Sequence, residues 1–310
     1  MCCLFGLIDY GHTLSGRQKT KMIQALALES EARGTDAAGI AYFNKGMLRV
    51  NKQPGPAHLS RFRVPKDTWT IMGHTRLTTQ GNARRNRNNH PFVGHLGKRE
   101  FALAHNGVLY NDQTLKQTLH LPKTRIETDS YVAVQLLERE NALDFSSLQK
   151  MAEQVRGTFV FTVLDHTNSL YFVRGENPLC LIHFPKEQLY LYASTSKILM
   201  AAVKKIPQLA RSMRTEVSSA CGDILRIDEN GAISTGAFDT KNLWERWFLH
   251  SFPPVASPVR VSAAVDDTLY WEDLKSVAAS YGYTPEVIDE CRELGFTTDE
   301  IEEMIYFGEI

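Results

Sequence analysis

MCCLFGLIDYG, residues 1–11, is the stretch on which the fold turns. Leu4, Phe5, Leu7 and Ile8 form a short apolar run with Gly6 inside it. Chain ends fray unless something holds them, and an exposed thiol is an oxidation liability. A terminus this apolar is therefore expected to enter a core as a strand and to take Cys2 and Cys3 with it. Successive side chains of a strand point to opposite faces, so the two thiols are expected to face different sides.

Working outward, the first two-thirds of the chain is rich in short β-like runs: Gly39–Phe43, Thr70–Gly73, Phe101–Ala104, Phe159–Leu164, Leu170–Val173, Leu179–His183, Leu189–Ala193 and Ile224–Ile227. They alternate or are continuously apolar, as half-buried and fully buried strands do. Helical spacing appears between them at Lys19–Ala32, Thr128–Arg139, Ser146–Val155 and Ser196–Lys204, the second opening on a Thr-Asp-Ser cluster suited to an N-cap. Strands with helix pairs of this kind predict an α+β body of packed sheets covered by helices.

The composition narrows the classes. The 310 residues hold 35 basic and 35 acidic side chains, which argues against an electrostatically driven nucleic-acid binder. No apolar run approaches the about 20 residues that span a bilayer, and no secretory leader is evident, so no membrane partner is expected. Five scattered cysteines without CxxC or Cys/His spacing predict reduced thiols in a cytoplasm and no metal site.

Near residue 251 the character changes. The stretch 251–268 is rich in proline, serine and small residues and reads as a linker. Beyond it, 269–310 carries helical candidates at Trp271–Ser280, Pro285–Leu294 and Thr298–Phe307, the last with Thr297 and Glu300 as a capping box, in a module that turns acidic from Glu286. The expected division is 2–250, a linker over 251–268, and a small acidic helical segment over 269–310.

Several residues suit chemistry. If the initiator methionine is removed, Cys2 holds a thiol and an α-amine whose ordinary pKa of about 7.7–8.0 suits a general base. Such an N-terminal nucleophile activates itself, although Cys2 alone also reads as a small buried hydrophobe. EARGTDAAGIAYF places Arg33, Gly34 and Asp36 at a helix-to-strand junction. MGHTRLTTQG ends a strand and is expected to leave Arg76, Thr79 and Gly81 in a loop, with His90 following in NHPF. LAHNGVLYN ends another strand at Asn106 and Gly107, and IETDSY sets Asp129 at a helix start. Taken singly, Arg76 also fits a surface salt bridge, HNG a β-turn and Asp129 a helix cap.

In this order, behind Cys-x-x-x-Gly, the motifs RGxDxxG, GHTR, HP, HNG and TD resemble class II glutamine amidotransferase domains over about residues 2–230. The resemblance implies the four-layer αββα sandwich of N-terminal-nucleophile hydrolases. It also implies hydrolysis of the glutamine side-chain amide through a Cys2 thioester, without cofactor or metal. Asn106 and Gly107 would then form the oxyanion hole. Arg76 would take the α-carboxylate and Asp129 the α-ammonium, with Thr79 and His90 lining the same pocket. Cys3 falls at a position the family does not use chemically. The polar run NARRNRNN, 82–89, reads as a solvated loop, and the resemblance makes it a lid over bound glutamine.

Family synthases follow this half with an acceptor domain, and nothing of that size follows here. Leu77 also departs from the tryptophan of the sugar-phosphate synthases. The expectation is therefore a glutaminase handing ammonia to a separate acceptor synthase or synthetase, with self-association into a homo-oligomer compatible. The alternatives are an amidohydrolase for another γ-glutamyl compound and a glutamine-sensing or docking protein.

Overall fold

The computed structural model describes residues 2–244 and, beyond them, Leu274, Lys275, Ala278, 283–294, Phe296, Ile301, Met304 and Ile305. The expected linker over 251–268 lies outside the described residues. So do most of Trp271–Ser280, the Thr297 and Glu300 cap, and most of Thr298–Phe307. The chain divides into two units, Met1–Ser251 and Phe252–Ile310.

The larger unit is built on two antiparallel sheets. The first holds β1 (Cys3–Asp9), β2 (Ala37–Asn44), β3 (Met47–Pro54), β4 (Thr70–Arg76), β9 (Cys180–Phe184), β10 (Leu189–Ala193) and β11 (Thr215–Glu216), in the order β11-β9-β10-β1-β4-β2-β3. The second holds β5 (Phe92–Leu96), β6 (Arg99–Leu109), β7 (Gly157–Leu164), β8 (Leu170–Arg174), β12 (Asp223–Ile227) and β13 (Ile233–Ala237), in the order β13-β12-β8-β7-β6-β5. The N-terminal run thus becomes a central strand, flanked by β10 and β4 and fully buried.

The period-two alternation of the strands generates the layers. Leu4 and Ile8 of β1, Met72 of β4, Tyr190 and Tyr192 of β10, Ala102 and Ala104 of β6, and Val160 and Leu164 of β7 form one core between the sheets. The outward residues Phe101 and Leu103 of β6 and Phe159, Phe161 and Val163 of β7 form another beneath α2 (Asp112–Thr118), α3 (Tyr131–Glu140) and α4 (Phe145–Gln154). On the far side, α1 (Gly16–Ser30) and α5 (Ser196–Lys204) pack on the first sheet. The order is αββα, as expected. Helix α1 starts earlier than its apolar spacing predicts, because Ser15 and Gln18 close a reciprocal capping box.

Four strands escaped the sequence reading: β3, β5, β11 and β13. β3 lies at one edge of its sheet and β13 at one edge of the other, and with four of eight and four of five positions exposed, respectively, and none buried, neither shows a buried-strand pattern. Two further expectations are corrected. Arg76 is the last residue of β4 rather than part of the following loop. Asn106 and Gly107 lie inside β6, which continues to Leu109 and accommodates Gly107 at φ +139°. A Cβ there would come within 1.9 Å of the Thr158 carbonyl oxygen, so the HNG motif is a kinked strand and no β-turn.

In the smaller unit, α6 (Lys241–Trp244) belonging to the larger one, the described helix is α7 (Pro285–Glu293), with Pro285 in its first turn. Its Ile288 and Cys291 are buried with Leu274, Ala278, Ile301 and Ile305 in a small apolar cluster. Lys275 pairs with Asp289 at 2.8 Å.

Candidate active site

Strand parity converges on one end of the sandwich. Counting by twos from the inter-sheet residues leads from Leu4 back to Cys2, from Met72 on to His74 and Arg76, from Ala104 on to Asn106, and from Tyr192 on to Ser194. All five are buried. Cys3 has the opposite parity and lies buried with its Sγ on the Leu4 carbonyl at 3.3 Å.

Cys2 is held by the segments that the motifs single out. Its Sγ donates to the carbonyl of Leu77 at 3.4 Å, and its own carbonyl accepts from Arg33 Nε at 3.2 Å. Burial pushes the thiol pKa up, and the Arg76 guanidinium pulls against it. Gly34 lies so close to the Arg76–Leu77 backbone that a Cβ would meet the Arg76 carbonyl carbon at 2.5 Å. The Asp36 amide donates to the Arg76 carbonyl at 2.9 Å, and its Oδ2 accepts from the Thr78 amide at 2.7 Å. Arg33, Gly34 and Asp36 therefore bracket the backbone on which Cys2 and Arg76 sit.

Arg76 is 3% exposed, which rules out the surface salt bridge. Its Nη1 donates to Asn89 Oδ1 at 2.7 Å, and Nη2 donates to the Gln80 and Gly81 carbonyls. Burial lowers its pKa, opposed by the nearby Cys2, Asp36 and Asp129. Asp129 does not cap α3. Its Oδ2 accepts from the Leu109 amide at 2.7 Å, two residues beyond Gly107, and the α3 N-cap Ser130 makes no capping bond. Ser130 Oγ instead meets His105 Nδ1 at 2.8 Å.

Asn106 reaches back to the strand of the nucleophile. Its side-chain amide contacts Ser194 Oγ at 3.3 Å, and that hydroxyl also accepts from the Leu4 amide at 2.9 Å. Ser194 was not legible as a site residue, although its place in the alternation after Tyr192 was a signal. His74 Nε2 donates to the His105 carbonyl at 2.9 Å and so joins the two sheets beside this contact. His90 packs between the rings of His74 and Phe92, centroids 4.2 and 4.3 Å away, with neither ring nitrogen partnered. Thr79 is exposed on the loop after β4, and among the described residues no hydrogen bond ties its side chain to this cluster.

The run 82–89 is no free solvated loop. Asn88 Nδ2 and the Asn82 amide donate to Glu127 Oε2 at 2.9 and 3.4 Å, and the Glu127 amide returns a bond to Asn88 Oδ1 at 3.0 Å. Arg85 pairs with the same carboxylate, and Arg87 Nε donates to the Arg125 carbonyl at 2.9 Å. Lys52 Nζ holds the Asn89 and Pro91 carbonyls from the β3 side, and burial lowers its pKa to about 8. No group of histidine, cysteine or acidic residues suited to a metal ion occurs among the described residues. No helix among them is long and apolar enough to cross a membrane.

A thiol at the start of a central strand of an αββα sandwich defines an N-terminal-nucleophile hydrolase architecture. Solved structures agree on the fold. The glutamine phosphoribosylpyrophosphate amidotransferase from B. subtilis superposes with a TM-score of 0.59 at 21% identity, over 78% of this chain and 50% of that one. Residues 74–201 match the family described as glutamine amidotransferase domain. Glutamine–fructose-6-phosphate aminotransferase (isomerizing) of Listeria innocua is 31% identical over 225 residues, 70% of this chain and 35% of its own length. The Geobacillus kaustophilus enzyme of the same name is 33% identical over 188 residues, 58% of this chain and 30% of its own. This chain carries a class II glutamine amidotransferase domain. It spans about a third of the length of the curated relatives it matches.

Proposed function

We propose that the protein hydrolyses the side-chain amide of L-glutamine through a Cys2 γ-glutamyl thioester and passes the ammonia to a separate acceptor enzyme. The observation that supports this best is the Cys2–Asn106 relationship: nucleophile and amide donor occupy inner faces of different sheets at the same end of the sandwich, joined through Leu4 and Ser194.

With Met1 removed, the Cys2 amine takes the thiol proton, directly or through a water. The thiolate attacks the glutamine Cδ, and the oxyanion that develops is stabilised by Asn106 and the Gly107 amide, such donors contributing about 3–4 kcal/mol each. The protonated amine returns its proton to the departing nitrogen, and ammonia leaves behind the thioester. Water, deprotonated by the same amine, then releases glutamate.

Arg76 takes the α-carboxylate and Asp129 the α-ammonium. Because the Arg76 fork also bonds Gln80 and Gly81, substrate binding and loop ordering share one side chain. His90 lines the pocket beside Arg76, and Thr79 adds to its lip. On this reading the glutaminase is assigned to 2–250, a linker to 251–268 and a small acidic helical module to 269–310.

The test is glutamate and ammonia release from L-glutamine by protein whose N-terminus has been verified by mass spectrometry, with Cys2→Ala as control. Turnover lost in Cys2→Ala supports the proposal. Absence of turnover in chains that begin at Cys2 overturns it as stated.

A further inference from the structure

Resting on that reading, we propose that Ser194 is a positioning residue that turns the Asn106 amide so that its NH2 faces the reacting centre.

As placed, Asn106 donates from Nδ2 to Ser194 Oγ at 3.3 Å, and the same oxygen accepts from the Leu4 amide at 2.9 Å. Asn106 Oδ1 is then buried without a partner, although the residue is fully enclosed. The Ser194 hydroxyl, accepting twice, is left with its own proton unused. This arrangement wastes an acceptor and a donor at once, which buried polar groups rarely do.

Side-chain amide nitrogen and oxygen are nearly interchangeable in shape, and their assignment follows from the hydrogen-bond network. Rotating the Asn106 amide by a half turn exchanges them. Ser194 then accepts from Leu4 and donates to Asn106 Oδ1, so the hydroxyl is fully used. The NH2 takes the unpartnered position, a buried donor awaiting an acceptor. A developing oxyanion supplies that acceptor.

Ser194 is well anchored for this task. It is fully buried, and its amide donates to the Leu4 carbonyl at 2.9 Å while its hydroxyl accepts from the Leu4 amide, so two bonds tie it to the strand of Cys2. It therefore refers the donor on one sheet to the nucleophile on the other. A hydroxyl is suited to the role because it can accept from a backbone N–H and donate to a carbonyl oxygen together.

Neutron diffraction on deuterium-exchanged crystals reads the assignment directly and needs no turnover. The Ser194 deuterium is expected on the line to Asn106 Oδ1, with the ND2 group on the far side. An ND2 group facing Ser194 overturns the proposal. Kinetics read its consequence: Ser194→Ala is expected to lower kcat about tenfold to a hundredfold, below the about 10²–10³ of losing such a donor outright. KM for glutamine should stay within about threefold, since the ground state makes little use of the hole. In an Asn106→Ala background the Ser194→Ala change should have almost no further effect on kcat. An equal loss in both backgrounds makes Ser194 merely structural and overturns the proposal. A wild-type enzyme inactive on glutamine sinks the functional reading instead, while the neutron map still decides the orientation.

Discussion

Arg33 Nε donates to the main-chain carbonyl of Cys2 at 3.2 Å, so the arginine of the RGxD motif grips the backbone of the proposed nucleophile. Arg33→Met removes that donor from a buried carbonyl, which costs about 1–3 kcal/mol when nothing replaces it. A lower melting temperature is expected, with a fall in kcat larger than any change in KM, because the thiol and not the binding groups loses its reference. Unchanged kcat would show that the β1 ladder alone positions Cys2.

The two adjacent thiols should behave as different residues. Cys2→Ala is expected to abolish glutamine turnover, whereas Cys3→Ala should keep it and lose about 1–2 kcal/mol of stability, as trimming a small buried side chain does. Burial holds the Cys2 thiol above its ordinary value, so alkylation by iodoacetamide should keep rising beyond pH 9. A plateau reached below pH 8 would mean that the thiolate is already formed and would contradict the burial argument.

Glu127 should control access. It collects Asn82, Asn88 and Arg85 from the run 82–89, which the resemblance makes a lid, and its own hydrogen bonds, Asn88 foremost, keep its carboxyl pKa below the ordinary value. Glu127→Ala is expected to raise KM for glutamine severalfold and to speed proteolytic cleavage within 77–89. Arg85→Ala removes only an exposed ion pair and should do little. Equal effects of both would assign the anchoring to the ion pair.

Acid should weaken the fold through its buried histidines. Burial holds His74 down at about 3, and lowers His90 and His105 as well. The unfolded chain takes up protons near pH 6.5 that the folded one refuses, so this stability is complete above about 6.5 and drains as pH falls toward 3. His90→Phe, replacing a ring whose nitrogens have no partner, should flatten the slope of stability against pH between about 4 and 6.5. An unchanged slope would locate the acid sensitivity elsewhere.

Gly107→Ala tests the kink. At φ +139° an alanine carries about 1–3 kcal/mol of backbone strain, and its Cβ would lie 1.9 Å from the Thr158 oxygen. Sharply reduced soluble yield and a lower melting temperature are expected. A variant of wild-type stability would show that β6 can straighten at this point.

The α+β body and a buried strand at the N-terminus followed from alternation and apolar content, whereas the central place of that strand did not. Those properties act between neighbours: sterics fix the period of a strand, and water drives its apolar face inward. The motif residues could be nominated only together, because their order along the chain resembles that of class II glutamine amidotransferases, whereas each taken singly also fits a structural role. The exposed edge strands β3 and β13 were invisible because solvent, not a core, faces them. What the tertiary structure alone decided is which distant groups meet. Arg33 reaches the Cys2 carbonyl, Asp129 takes the Leu109 amide instead of capping α3, and Ser194 meets Asn106 from the opposite sheet. These contacts depend on the pairing register of β1 with β4 and β10 and on the facing of two sheets. Register is set by the sum of many weak contacts across the whole core, which no local stretch of sequence contains.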